Sequence, residues 1–270
     1  MKEPLPKQPS VQRKEEEEKS PVKQAKMPPA FGLQAGTAQM QGEDKRGYET
    51  CTPFGDYFVT PDDAPGCYKD IHGEQITQSE FKKLQEAYDS IRNGSGDLII
   101  SETDNKGVEH GGFKRKTLDQ IGLLMSKPMG RKLVLGILAG GKKVTIQPTP
   151  SPQIAVATRG EGSLANADGT ANTGGTTTIQ IDDNLTDDKV VAFDKAGKEI
   201  ASPVFIILGH ELIHARHNQA GLNQRNSKPK DAAFGNREEE MTIADGDLTE
   251  NGLRSEHGIE LRHGHSGKFK

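Results

Sequence analysis

Long apolar stretches are missing from this chain. The best, Val204 to Leu208, falls far short of the roughly 18 residues that a membrane-spanning helix needs, so it reads as core. Hydrophobic residues make up only 32% of the 270, while Gly (31) and Pro (15) are plentiful, so a sizeable part should be linker or tail. A strong charge excess is also missing. The formal net charge of -4 gives no bulk attraction to nucleic acid. No charged-then-apolar leader opens the chain, so if the protein leaves its cell it should do so without a signal peptide. Cysteine is scarce. Cys51 and Cys67 lack the tight spacing of a zinc knuckle, and the sequence leaves open whether they form a disulfide.

What is present is distributed unevenly. Residues 1–46 are rich in Pro, Gln, Lys and Gly, with the acidic run Glu15 to Glu18, and carry no helical or strand period. A disordered tail is expected there. Residues 47–109 read as a loop-rich extension with one amphipathic helix, Ile76 to Ile91, stopped by Asn93-Gly94-Ser95-Gly96, and a short strand over Asp97 to Ser101. The main domain is expected over 110–270. It should hold a helix from Lys116 to about Ala139 broken near Pro128, and a strand Lys143 to Gln147 closed by Pro148. A loop over Gly160 to Gly175 and a strand over Thr176 to Asp182 follow. A helix from Pro203 to about Ala220, with Ser202 as N-cap and Gly221 just past its end, comes next. A second helical stretch covers Arg237 to Ile243. Helices and short strands in this mixture predict an α+β fold with a small mixed sheet.

The chemistry concentrates in His210-Glu211-Leu212-Ile213-His214. Residues four apart lie one above the other on a helix, so both imidazoles can aim a ring nitrogen at one point about 2.0–2.1 Å away, as zinc requires. Glu211 is rotated about 100° from His210, which suits a base beside a metal-activated water rather than a ligand. Val204, Ile207, Leu208 and Leu212 give the helix an apolar face, and buried polar groups on such a helix need a partner such as a metal. One zinc ion with a third protein ligand and an open position is the expectation. A third His six residues after the second would fall at Ala220, and the Gly usual three earlier is His217, so the three-His class is excluded. A downstream carboxylate remains, within the run Glu238-Glu239-Glu240-Met241-Thr242-Ile243. His217 is expected on the surface of the zinc helix, His257 and His263 in solvent, and Arg254 in a structural ion pair.

The stretch His-Glu-Leu-Ile-His-Ala-Arg-His-Asn-Gln-Ala-Gly, His210 to Gly221, resembles the zinc helix of clostridial neurotoxin light chains. It also resembles the bacterial effector metallopeptidases of peptidase family M91. Both groups follow that helix with Glu-Glu-x-x-Thr, matched here by Glu238-Glu239-Glu240-Met241-Thr242. Aligned on the Thr, the resemblance implies Glu239 as third ligand and Glu238 just behind it. The effector family also has Glu-Asn-x-x-Arg, present as Glu250 to Arg254, and Arg-x-x-Tyr, present as Arg262-His263-Gly264-His265 with His in place of Tyr. The resemblance implies a zincin-like fold with a second helix supplying the Glu ligand. It further implies a zinc endopeptidase made in a bacterial cytoplasm and acting on a protein inside a target cell.

In that reading His210, His214 and Glu239 hold zinc, Glu211 is the general base, and Arg262 and His265 stabilise the oxyanion. The strand Thr176 to Asp182 would pair with an extended substrate as an edge strand. The N-terminal tail is similar to tails of toxins loaded into extracellular contractile injection systems, which implies an injection-system particle as partner. A zinc-binding interaction protein without turnover is the competing reading, against which the intact Glu211 argues.

Overall fold

The computed structural model describes residues 48–59, 67–70, 75–149 and 154–269. The tail expected over 1–46 lies outside the described residues. The first elements are four strands, β1 (Tyr48–Thr52), β2 (Gly55–Val59), β3 (Cys67–Asp70) and β4 (Gln75–Thr77), which form an antiparallel sheet in that order. A loop-rich extension was expected there, and a sheet stands instead. Short strands joined by turn residues carry little period of their own, and the pairing is what defines them. The register also answers the cysteine question. Cys51 on β1 and Cys67 on β3 are separated by β2, and Cys51 faces Asp56 while Cys67 lies toward the opposite end of β2, so their Cα atoms stand well beyond the roughly 7 Å that a disulfide spans.

Helix α1 (Gln78–Asn93) starts at Thr77, whose hydroxyl accepts from the Glu80 N–H while the Glu80 carboxylate accepts from the Thr77 N–H. This reciprocal cap fixes the start two residues later than the apolar spacing suggested. The helix buries Phe81, Leu84, Ala87, Tyr88 and Ile91, and Phe54 meets Phe81 edge-on at 5.8 Å between ring centres. Strand β5 (Leu98–Ile100), α2 (Phe113–Met125) and α3 (Pro128–Leu138) follow. The expected long helix is thus two, with Pro128 starting the second, where a missing N–H costs nothing.

The central sheet contains β6 (Val144–Thr149), β7 (Ala155–Arg159) and β8 (Thr177–Asp182) in the order β5-β6-β8-β7, the first two junctions parallel and the last antiparallel. This is the small mixed sheet of an α+β fold. Its first strand precedes residue 110, and Leu98 and Ile100 share one core with α2 and α3. Pro148 does not close β6 but pairs with Ile181 inside it. β5 ends opposite Ile146, so one flank of Pro148 has no strand to miss its N–H. Two further expectations fail here. β7 was unforeseen, and β8 is not an edge strand: β6 and β7 occupy both its sides, so it cannot accept a substrate strand.

A third sheet has the order β10-β9-β11, from β9 (Val190–Phe193), β10 (Glu199–Ala201) and β11 (Gly267–Phe269). Between β10 and β11 lie α4 (Val204–Ala220), a single 3-10 turn (Ala232–Phe234), α5 (Arg237–Ile243) and α6 (Glu250–Glu256). Helix α4 runs through the middle of the molecule, against β7 and β8 on one side and α2, α3 and α6 on the other. Phe205, Ile206, Ile207, Leu208, Leu212, Ile213 and Ala215 are all buried, so the helix is enclosed on every face rather than amphipathic. Its first turn differs from expectation as well. The N-cap is Pro203, and the Val204 N–H donates to Asp187 Oδ1 at 2.8 Å, while the Ser202 hydroxyl accepts from Arg254. Gly221 ends α4 at φ 65°, where a Cβ would stand 2.4 Å from the Asn172 carbonyl oxygen, so only glycine fits. Among the described residues no helix is long and apolar enough to cross a membrane.

Candidate metal centre

His210 and His214 lie one turn apart on α4, both buried, with ring centres 4.7 Å apart and planes at 85°. Each imidazole is fixed from behind by a carboxylate. His210 Nδ1 donates to Glu250 Oε2 at 2.8 Å, and His214 Nδ1 donates to Glu238 Oε1 at 2.8 Å. With the Nδ1 protons committed, both Nε2 atoms present lone pairs, and these face each other at 3.0 Å. Glu239 Oε2 lies 3.3 Å from both Nε2 atoms, is buried, and has no hydrogen-bond partner among the described residues. Two lone pairs and an anionic oxygen converging at such distances repel one another unless a cation lies between them. A tetrahedral zinc site with bonds of about 2.0–2.1 Å has ligand-to-ligand edges of about 3.3 Å, so these residues fit a metal ion of that size.

Helix α5 presents the carboxylates. Asn236 caps it, accepting from the Glu239 N–H at 3.1 Å, and this start turns Glu238 and Glu239 toward α4. Glu238 is a hub. Oε1 accepts from His214 Nδ1 and from His217 Nδ1, both at 2.8 Å, and Oε2 accepts from the Gln224 N–H at 3.0 Å. His217 is therefore not a surface residue, as its place at the end of α4 suggested, but a part-buried donor to the same carboxylate. Glu240 turns away to Arg237 and to the Lys230 and Asp231 N–H groups.

Helix α6 supplies the partner that the sequence reading missed. Glu250 is 1% exposed and binds His210 Nδ1, Arg254 Nε at 2.7 Å and Arg262 Nη1 at 2.9 Å. Arg254 is fully buried and also donates to the Ala201 carbonyl and the Ser202 hydroxyl, a structural ion pair. The Glu-Asn-x-x-Arg resemblance marked Glu250 and Arg254, but nothing in the sequence tied Glu250 to His210 forty residues earlier. Gly209 lets α6 approach: a Cβ there would stand 2.7 Å from Leu253 Cδ1.

The remaining candidates fall as follows. Glu211 is buried beside the two imidazoles, and among the described residues no hydrogen bond ties down its carboxylate. Arg262 is turned from the pole: beyond Glu250, its Nε and Nη2 donate to the carbonyls of Gly264 and His265. His265 Nε2 lies 3.3 Å from Glu239 Oε2, with its ring stacked on His210 at 6.1 Å. The ligand atoms of His210, Glu239 and His265 all lie within 4.8 Å of one another. His263 is part-buried against Phe234 and 3.4 Å from Asp231, and His257 packs on Phe205, so neither is a freely solvated tail residue.

Electrostatics agree with a cation-seeking pocket. Burial alone would lower the His214 pKa, but its hydrogen bond to Glu238 and the facing Glu239 carboxylate outweigh it and push it up to about 10. Burial opposes the same rise at His210, which Glu239 and Glu250 bring about. The carboxylates shift the other way. Burial would raise Glu238, yet His214 and His217 hold it down to about 2. Glu239, between the imidazoles, and Glu250, facing Arg262 and His210, also lie well below the usual carboxylate range against the pull of burial.

Fold and pocket together define a class, an α+β protein with a buried His/Glu cluster compatible with a metal ion. Residues 101–264 match the family model of the M91 peptidases, described as effector proteins. The match covers more than half of the chain, and the chain belongs to that family of effector peptidases. No curated protein matches it.

Proposed function

We propose that the protein is a zinc-dependent endopeptidase of zincin type, delivered into a target cell to cleave a specific protein there. The observation that carries this reading is the convergence of His210 Nε2, His214 Nε2 and the orphaned Glu239 Oε2 on one point, with both Nδ1 protons tied to carboxylates. In this reading those three residues hold one zinc ion. Bound zinc would supply Lewis acidity, polarising a substrate carbonyl and making a water easier to deprotonate.

The chain's own residues do the rest. Glu211 takes the proton from the attacking water and passes it to the leaving amine. Glu238 and Glu250 hold the two ring orientations and keep the Nε2 lone pairs facing inward. Arg262 clasps the chain around His265 rather than reaching the reacting atoms, and His265 is the nearest further donor for a developing oxyanion. An extended substrate would pair with β7, an outer strand that packs on α4.

The effector family, the likeness to clostridial light chains and the tail over 1–46 favour injection as the route, with an injection-system particle as carrier. The test compares wild type with Glu211→Gln for metal content and for new protein N-termini in exposed cells. Retained zinc with loss of cleavage is expected. Equal cleavage by both sinks the assignment of Glu211, and zinc without cleavage in either leaves the protein as a zinc-binding interaction module.

A further inference from the structure

The metal pole has a fourth side, and the C-terminal segment covers it. After α6 the chain returns across the pocket and is pinned along its length. The His263 N–H donates to the Phe193 carbonyl at 2.8 Å on β9, and the His265 N–H donates to the Ala233 carbonyl at 3.0 Å in the 3-10 turn. Arg262 holds the Gly264 and His265 carbonyls, and β11 then joins β9 with Gly267 opposite Ala192. Gly264 is buried at φ 75°, and a Cβ there would stand 2.8 Å from the Ala233 carbonyl oxygen, so the segment lies flush against the 3-10 turn. The result of this clamping is the position of one side chain. His265 Nε2 is 3.3 Å from Glu239 Oε2, the same spacing that His210 and His214 keep from that oxygen.

We propose that His265 is a fourth protein ligand of the metal, delivered by a C-terminal strap, so that the centre is closed in the resting protein. This rests on the zinc reading above. A site with four protein ligands has the coordination of a structural zinc, whereas catalysis needs one open position. The imidazole is half-exposed, with 54% of the side chain open to solvent, unlike the buried His210 and His214. It is thus the one ligand that can swing out without opening the core. Once displaced by an arriving substrate, its freed Nε2 remains at the rim as a hydrogen-bonding group. The closed state would keep the peptidase quiet until a substrate long enough to dislodge the strap arrives.

The experiment uses the full chain, loaded with zinc, in four forms: wild type, His265→Ala, Gly264→Ala and His210→Ala. X-ray absorption at the zinc edge counts imidazole ligands, and competition with a chromophoric chelator gives the zinc dissociation rate. Neither readout needs a substrate. The expected counts are three imidazoles in wild type and two in His265→Ala, with zinc leaving His265→Ala at least about tenfold faster. Gly264→Ala, which unseats the strap but leaves His265 in place, should move toward the two-imidazole spectrum. Two imidazoles in both wild type and His265→Ala overturn the fourth ligand, and a Gly264→Ala spectrum identical to wild type overturns delivery by the strap. His210→Ala separates the two levels. Loss of zinc there with two imidazoles in wild type removes only His265, whereas full zinc retention in His210→Ala removes the zinc reading itself.

Discussion

Truncating Glu250 to alanine should be among the most damaging single changes outside the apolar core. The carboxylate is 1% exposed and Arg254 is fully buried, so Glu250→Ala leaves a guanidinium with no anion in a dry interior. Breaking a buried pair in this way costs about 3–5 kcal/mol, against a typical total stability of 5–15 kcal/mol. For a domain of this size each kcal/mol moves the melting temperature by about 2–4 °C, so a fall of roughly 6–20 °C is expected. The hydrogen bonds that Arg254 keeps to the Ala201 carbonyl and Ser202 hydroxyl argue for the lower half of that range. The assay is thermal unfolding of metal-free protein at pH 7, which keeps metal binding out of the comparison. Removing the stranded charge as well, in Glu250→Ala/Arg254→Met, should recover much of the loss, because a buried pair replaced by apolar groups is close to neutral. A fall under about 2 °C for Glu250→Ala, or a double variant worse than the sum of the singles, would refute the reasoning. In the zinc-loaded protein the same change frees His210 Nδ1, and zinc affinity should drop about 10–100-fold.

Other outcomes follow from the same contacts. Glu238→Ala removes the acceptor shared by His214 and His217 and, on the zinc reading, should weaken zinc binding by a similar 10–100-fold, measured by chelator competition. Gly221→Ala forces an L-residue into φ 65° against the Asn172 carbonyl and should cost about 1–3 kcal/mol in a denaturant titration. Burial, aided by Lys127, pushes the His257 imidazole down to about 4, so the fold favours its neutral form. Its contribution is present above the unfolded value near 6.5 and is lost as pH falls from 6.5 through 4. His257→Phe keeps a ring packed against Phe205 and should flatten the stability profile over that window.

Some of this was local enough to read directly. The span of α5 and the end of α4 at Gly221 follow from capping residues and glycine within a few positions, and the i,i+4 spacing of His210 and His214 fixes their common face. Helix α4 differs from its expected character in degree. Four apolar positions suggested one buried face, whereas neighbours on every side bury it all round. The strands fared worse. β7, β9, β10 and the first sheet are short segments with little period, and the long-range pairing that makes them strands is not encoded within each segment.

The sequence by itself determined a helix with two imidazoles on one face and an adjacent carboxylate, since helical geometry needs no other part of the chain. It also named the acidic run from which further carboxylates come. Only the tertiary structure decided what each of those groups faces. Glu250 reaches His210 across 40 residues and Glu238 reaches His214 across 24, because α5 and α6 pack on α4. His265 stands beside Glu239 because β9, the 3-10 turn and Arg262 pin the returning tail. Such contacts depend on how separate elements dock, and no local pattern of residues records that.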